Sequence, residues 1–226
     1  MRIFFPDVNI VMMFLILVGI FALVVYLFFR KDSYKTFHRN LIPKSVCEKI
    51  IEVSQKYKFL ETPEEVDDLP MQEIPLFGKS KPINHELWNL VKEYYLPLTS
   101  KHGLHLNYAF LRRYNTGVRN DLIMHFDNSI DAATTVNILL SDEKDFEGGD
   151  LYIFNKNDTE KILNQHGGDM NIRQRETFIN DCSNIPVLNL RQGDAVHYKG
   201  SELLHGVTTV TKGERYVLGF FSSVNS

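Results

Sequence analysis

The chain has 226 residues, 44% of them hydrophobic and 23% charged, and a formal net charge at pH 7 of only -3. That balance excludes a disordered polyelectrolyte and gives no bulk electrostatic reason to bind nucleic acid. Two cysteines, Cys47 and Cys182, are too few for a disulfide framework and read as ordinary thiols or at most one bridge.

Residues 8–29 carry one amide, Asn9, and no charge. As a helix this stretch would span about 33 Å, enough for the hydrocarbon core of a bilayer. It predicts one transmembrane helix contacting the lipid bilayer. A cleaved signal peptide would have a shorter apolar core and small residues at its end, whereas this one finishes in VVYLFFRKD. The predicted organisation is therefore a membrane anchor over 1–29, a basic linker over 30–40 and one folded domain over 41–226. Arg30, Lys31, Lys35, Arg39 and Lys44 follow the anchor and place the domain in the cytosol by the positive-inside rule. The glycosylation triplet Asn157-Asp158-Thr159 would matter only on the opposite side, so orientation stays open.

From Pro43 to Tyr57, Val46, Cys47, Ile50 and Ile51 recur at helical spacing. Leu87, Leu90, Val91 and Tyr94 repeat the pattern in a second helix that Pro97 helps to end. Between them residues 61–73 hold six acids and no base, which reads as a solvated loop or as a loop attracting a basic peptide. After Gly103 come short strand-like runs at 104–114, 122–127, 134–140, 149–154, 187–190, 194–198, 204–210 and 214–222. Eight such runs predict a mainly β, double-sheet jelly roll. Residues 155–186 interrupt them as a polar insertion too long for an ordinary connection, hence a lid, a binding loop or disorder.

The chemistry-bearing residues begin with IMHFDNS at 123–129. In a strand, residues two apart share a face, so His125 and Asp127 would present an imidazole and a carboxylate side by side. Alone this pair is weak. The segment SELLHGVTTVTKGERYVLGFF adds His205 and Arg215. If Thr211-Lys212-Gly213 made a three-residue hairpin loop, His205 and Arg215 would share a face roughly 13 to 16 Å apart, at about 3.3 Å per residue. A five-carbon diacid between a histidine-bound metal and an extended arginine fills about that gap. Two histidines and one carboxylate with open positions suit Fe(II), and the guanidinium fork suits a carboxylate.

In order, RRYNTG, HFD, TTVNILLSD, FEGGDLYIF, LRQGDAVHY and LLHGVTTVTKGERYVLGF resemble the motifs of the 2-oxoglutarate- and Fe(II)-dependent dioxygenases of the prolyl 4-hydroxylase and procollagen lysyl hydroxylase type. The resemblance spans residues 104–222, and NLIPKSVCEKIIEVSQKYKF resembles the opening helix of such domains. It implies a double-stranded β-helix with flanking N-terminal helices, in which His125, Asp127 and His205 hold iron. Arg215 would hold the distal carboxylate of 2-oxoglutarate, with Tyr114 and Asn137 near the cosubstrate, although each also reads as a core or hydrogen-bonded interior residue. It further implies O2 as oxidant, ascorbate to keep the iron reduced, hydroxylation of lysyl or prolyl residues in a peptide or protein, and residence in the endoplasmic reticulum membrane. The lysyl branch is the closer, because Leu139 stands where prolyl hydroxylases carry a tyrosine and Arg215 where they carry a lysine; His197 and TTVTKGERY echo the lysyl pattern. The alternatives are a small-molecule oxygenase and a catalytically silent jelly-roll binding module. Base repair would need further arginines after Arg215, and none follows. Gly148-Gly149 marks a close backbone approach, and His102, His105, His166 and Trp88 read as structural.

Overall fold

In a computed structural model of the chain, the alternating apolar pattern after Gly103 builds two antiparallel sheets. The described residues are 18–19, 34–63, 66–67, 69–100, 103–128 and 132–224. Contacts separate Met1–Ser33 from Tyr34–Ser226, and the second unit carries everything below. The predicted anchor, apart from Val18 and Gly19, lies outside the described residues, as does His102. Among the described residues no helix is long and apolar enough to cross a membrane.

In chain order the elements are β1 (Lys35–His38), α1 (Lys44–Ser54), β2 (Leu60–Pro63), β3 (Pro70–Gly78), β4 (Lys81–Pro82), α2 (His85–Ser100) and β5 (Leu104–Asn115). There follow β6 (Leu122–His125), β7 (Thr134–Leu139), β8 (Phe146–Gly148), β9 (Leu151–Ile153), α3 (Lys156–Gln165), α4 (Ile172–Asp181), β10 (Ala195–Tyr198), β11 (His205–Val207) and β12 (Val210–Val224). The larger sheet runs β1-β10-β7-β12-β5-β3-β2, with β4 on β3 and β8 on β12, and the smaller runs β6-β11-β9.

Strand parity sorts the side chains into layers. On the larger sheet Leu111, Ile138, Ala195, Tyr216, Leu218 and Phe220 face one way, packing with Cys47, Ile50 and Val53 of α1 and Leu87, Val91 and Tyr95 of α2. Their neighbours Tyr114, Leu139, Val196, Tyr198 and Val217 face the other way and meet Leu122, Leu151, Ile153 and Val207 of the smaller sheet. That inner space holds the candidate site. The outer face of the smaller sheet, Met124, Tyr152, Phe154 and Leu204, is covered by Ile162 and Met170 with Phe178 and Ile179.

Several expectations are corrected. The insertion at 155–186, expected as a lid, a binding loop or disorder, is ordered into two helices. Asn155 accepts a hydrogen bond from the Asp158 N–H to start α3, and Asn171 with Gln174 forms a capping box at α4. Pro97 does not end α2, which continues to Ser100. Residues 35–38, inside the stretch read as linker, pair with β10. The acidic run at 61–73 is no uniformly solvated loop: Leu60–Pro63 pairs with β3, and Glu73 is buried. The run at 187–190 makes only a bridge from Val187 to Tyr152. Cys47 and Cys182, by contrast, are both free thiols, in line with the ordinary-thiol reading.

The largest correction concerns the predicted hairpin at 211–213. Gly213 is left-handed, with φ 76°, yet the chain does not turn back there. β11 pairs with β6 and β9, whereas β12 runs on continuously, first along β8 and then between β5 and β7. The ladder to β8 shifts register between Val210 and Lys212, and Gly213 follows as the partner of Phe146, where a Cβ would collide with the Asp145 carbonyl. His205 and Arg215 therefore face one another from different sheets rather than along one hairpin face.

Candidate metal centre

His205 and His125 are register partners in the β11–β6 ladder. An irregularity between His205 and Val207 gives β6 one extra residue, so Leu122 and His125 both turn inward. Their ring centroids are 4.3 Å apart, and both residues are buried. Each Nδ1 lies against a carbonyl, 2.8 Å from Ile123 O and 2.9 Å from Leu203 O. A carbonyl only accepts, so each Nδ1 is the protonated nitrogen and each Nε2 presents its lone pair inward.

Asp127 is not held as the sequence suggested. The strand ends at His125, and Asp127 follows it in irregular chain. Its backbone N–H donates to Gly200 O at 3.1 Å, and Thr135 Oγ1 donates to its Oδ2. That leaves Oδ1 facing the imidazoles, 3.6 Å from His125 Nε2 and 3.5 Å from His205 Nε2. One ligand atom from each residue lies within 4.8 Å of the others. An ion with bonds of about 2.0–2.2 Å touches two donors up to roughly 4.2 Å apart, so the two carboxylate–imidazole spacings fit a single ion. The donor set is the two-histidine, one-carboxylate combination that suits Fe(II). Burial acts to raise the Asp127 carboxyl; without a metal, protonation of the two imidazoles at Nε2 would outweigh burial and hold it well below the usual carboxylate range. It is an anion ready to ligate.

Behind the triad lies a small chamber lined by Tyr114, Asn137, Tyr198, Arg215 and the apolar Leu122, Leu151, Val207 and Val217, among others. Arg215 is 3% exposed. Its guanidinium lies over the Tyr114 ring at 5.3 Å, and burial pulls its pKa below the ordinary arginine value. No hydrogen bond or ion pair joins it to a described side chain, and the Asp150 carboxylate acts on it only from beyond ion-pair distance. A buried cation in that position calls for an anion. Gly149, left-handed at φ 69°, lies where a Cβ would come within 2.9 Å of Arg215 Cδ, so the close approach expected of Gly148-Gly149 includes the stem of this arginine.

Asn137 Nδ2 donates to the Tyr198 hydroxyl at 2.8 Å. Burial, then the nearby Asp127 charge, pushes the Tyr198 phenol well above its ordinary range, so it keeps its proton and can donate it. The chamber has a volume of about 30 Å3, room for about one water. The triad also borders a much larger open groove of about 1500 Å3, and Arg112 and Phe221 line both spaces.

The sequence-predicted residues His125, Asp127, His205, Arg215, Tyr114 and Asn137 thus border one chamber. His197 does not, because it alternates with Tyr198 on β10. Sequence reading missed Tyr198, Thr135, Gly200 and Arg112. The alternation in AVHYKG, with Val196 and Tyr198 on one side and His197 on the other, was the available signal for Tyr198.

No family model matches the chain, and no curated protein sequence does. Solved structures do. The viral collagen prolyl hydroxylase from Paramecium bursaria Chlorella virus-1, as a 2OG complex, superposes with a TM-score of 0.55 at 11% identity, covering 86% of this chain and 98% of that one. A prolyl hydroxylase from Trichoplax adhaerens, in complex with a hypoxia inducible factor peptide fragment, gives 0.57 at 11% identity over 85% of this chain and 84% of that one. HygX from Streptomyces hygroscopicus, with nickel, 2-oxoglutarate and hygromycin B bound, gives 0.56 at 15% identity over 88% and 85%. These likenesses establish the fold as that of the 2-oxoglutarate-Fe(II) oxygenases.

Proposed function

We propose that the chain is a membrane-anchored Fe(II)- and 2-oxoglutarate-dependent dioxygenase that hydroxylates a lysyl or prolyl residue of a peptide or protein. The observation that carries this reading is the pairing of three convergent ligand atoms with a buried guanidinium that makes no ion pair among the described residues, all bordering one chamber.

His125, Asp127 and His205 would hold the iron, which when bound supplies oxygen activation coupled to decarboxylation of the cosubstrate. The protein's part is placement. Carbonyls of Ile123 and Leu203 fix the imidazole tautomers, and Thr135 and Gly200 fix the carboxylate. Arg215 would take the distal carboxylate of 2-oxoglutarate as a fork, and the Tyr198 hydroxyl, polarised by Asn137, would donate to a cosubstrate oxygen. Leu122, Leu151, Val207 and Val217 exclude water around it.

A peptide acceptor is favoured over a small molecule by the groove, because about 1500 Å3 exceeds the roughly 300–1,000 Å3 usual for small-molecule pockets. The Trichoplax neighbour holds a peptide, while HygX holds hygromycin B, so the fold serves both. The lysyl preference rests on Leu139 and Arg215. The use of ascorbate, and an endoplasmic reticulum membrane location through residues 8–29, belong to the same proposal.

The test is incubation with Fe(II), ascorbate, 2-oxoglutarate and lysine- or proline-containing peptides. Succinate release together with a mass gain of one oxygen on a lysyl or prolyl residue is expected. Succinate release with no peptide product transfers the activity to another acceptor, and no succinate at all identifies a silent binding module.

A further inference from the structure

We infer that the groove over the triad receives an acidic peptide segment; this rests on the proposed function and names its substrate class. The inference comes from the balance of charges lining the groove. Of its acids, Glu73 is already paired with Arg112 at 2.8 Å, Asp169 with Arg175 at 2.8 Å, and Asp127 belongs to the triad. Of its cations, Lys79, Lys81 and Arg173 have no ion-pair or hydrogen-bond partner among the described residues. Among the described residues the charge left over on the groove lining is therefore positive, although the whole chain is at -3.

The three cations stand on two different elements. Lys79 and Lys81 are at the β3–β4 turn, and Arg173 is in the first turn of α4. Each group has an exposed aliphatic neighbour that also lines the groove, Ile83 at 52% and Ile172 at 39% exposure. Cation beside aliphatic, on both elements, is a surface for a chain that alternates carboxylates with apolar side chains. Lys79 and Ser80 are both left-handed, with φ 50° and 60°, at the two central positions of a tight turn where Asn-Gly is the easy choice. The lysine stands there against its backbone preference.

Arg112 links this rim to the chemistry. It lines both the groove and the inner chamber, and its Nε is anchored by Glu73. The acidic run at 61–73 supplies that anchor from Glu73 and, through Asp67, the partner of Arg119. The basic-peptide alternative for the run is thereby answered at these two acids, which hold the protein's own arginines. A peptide is favoured over a nucleic acid because the net charge of the whole chain would repel a long uniform polyanion.

The experiment compares three labelled peptides of equal length around one central proline and one lysine, flanked by Asp and Glu, by Asn and Gln, or by Lys and Arg, by fluorescence anisotropy on the full chain. The acidic peptide should bind about tenfold or more tightly than the basic one at low salt, with the advantage shrinking as salt rises. Combining Lys79→Asn, Lys81→Glu and Arg173→Glu should reverse the ranking. Equal or tighter binding of the basic peptide to the wild type overturns the inference, and so does a single-stranded oligonucleotide of matched charge that binds better than the acidic peptide. Iron and 2-oxoglutarate binding are measured in the same samples. A protein that binds neither yet prefers the acidic peptide refutes the oxygenase reading while upholding the groove preference.

Discussion

His125 and His205 stand directly opposite one another across the β6–β11 ladder, with ring centroids 4.3 Å apart and each Nδ1 spent on the carbonyl two residues before it. Two imidazoles so fixed can only present Nε2 lone pairs to a shared point, which is also where Asp127 Oδ1 lies. Asp127→Ala should remove the anionic ligand and abolish both iron retention and turnover. Thr135→Val keeps the ligands but frees Oδ2. It should weaken iron affinity by about 10–100-fold, the usual consequence of losing a partner that orients a ligand. Metal titration of the purified variants measures both, and unchanged affinity in Asp127→Ala would remove the metal assignment.

Gly200 supports the same carboxylate by being small. A Cβ there would overlap Asp127 Oδ2 and crowd Thr135 Oγ1, while the Gly200 carbonyl still accepts the Asp127 N–H. Gly200→Ala should therefore displace the carboxylate and lower iron affinity more than Thr135→Val does. Far-ultraviolet circular dichroism should remain that of the wild type. Wild-type iron affinity in Gly200→Ala would show that Asp127 is not positioned this way.

The ligand residues were legible in the sequence because residue type and motif order survive without coordinates. Their placement was not. The argument for His125 and Asp127 from strand alternation fails because the strand stops at His125 and a bond to Gly200, distant in sequence, positions Asp127. The hairpin at 211–213 fails because a left-handed glycine can sit inside a continuous strand as well as in a turn, and long-range pairing with β8, β5 and β7 decides which. Thr135 and Tyr198 are ordinary strand residues until register shows their face. The helices of the insertion were readable, since Asn155 with Asp158 and Asn171 with Gln174 are capping signatures, but their low apolar content hid the helical period.

Asp67 and Arg119 form a two-pronged buried pair, Nη1 to Oδ1 at 3.0 Å and Nη2 to Oδ2 at 2.6 Å. The pair ties the segment between β2 and β3 to the loop that leads into β6. Removing one partner leaves the other charged and dry, so Asp67→Ala should cost about 3–5 kcal/mol. Urea denaturation followed by tryptophan fluorescence measures it, since Trp88 sits in the helix-facing core. A loss below about 1 kcal/mol would place the pair in the class of surface bridges. The double variant Asp67→Ala with Arg119→Met should recover much of the loss, because it removes the stranded charge as well.

Arg215 offers the opposite sign of effect. A buried guanidinium with no ion pair among the described residues, and only the Asp150 charge acting on it at a distance, is a cost to the folded chain until a closer anion arrives. Arg215→Met keeps the stem that lies against Gly149 and removes the charge. Without 2-oxoglutarate the variant should unfold at a higher temperature than the wild type, by roughly 1 kcal/mol or more of added stability. With saturating 2-oxoglutarate the order should reverse, because only the wild type gains the binding contribution. Iron retention should be the same in both, since Arg215 is not among the three convergent ligands. Thermal scans with and without 2-oxoglutarate give all the comparisons. If 2-oxoglutarate raises the melting temperature of Arg215→Met as much as that of the wild type, the guanidinium is not what binds its carboxylate.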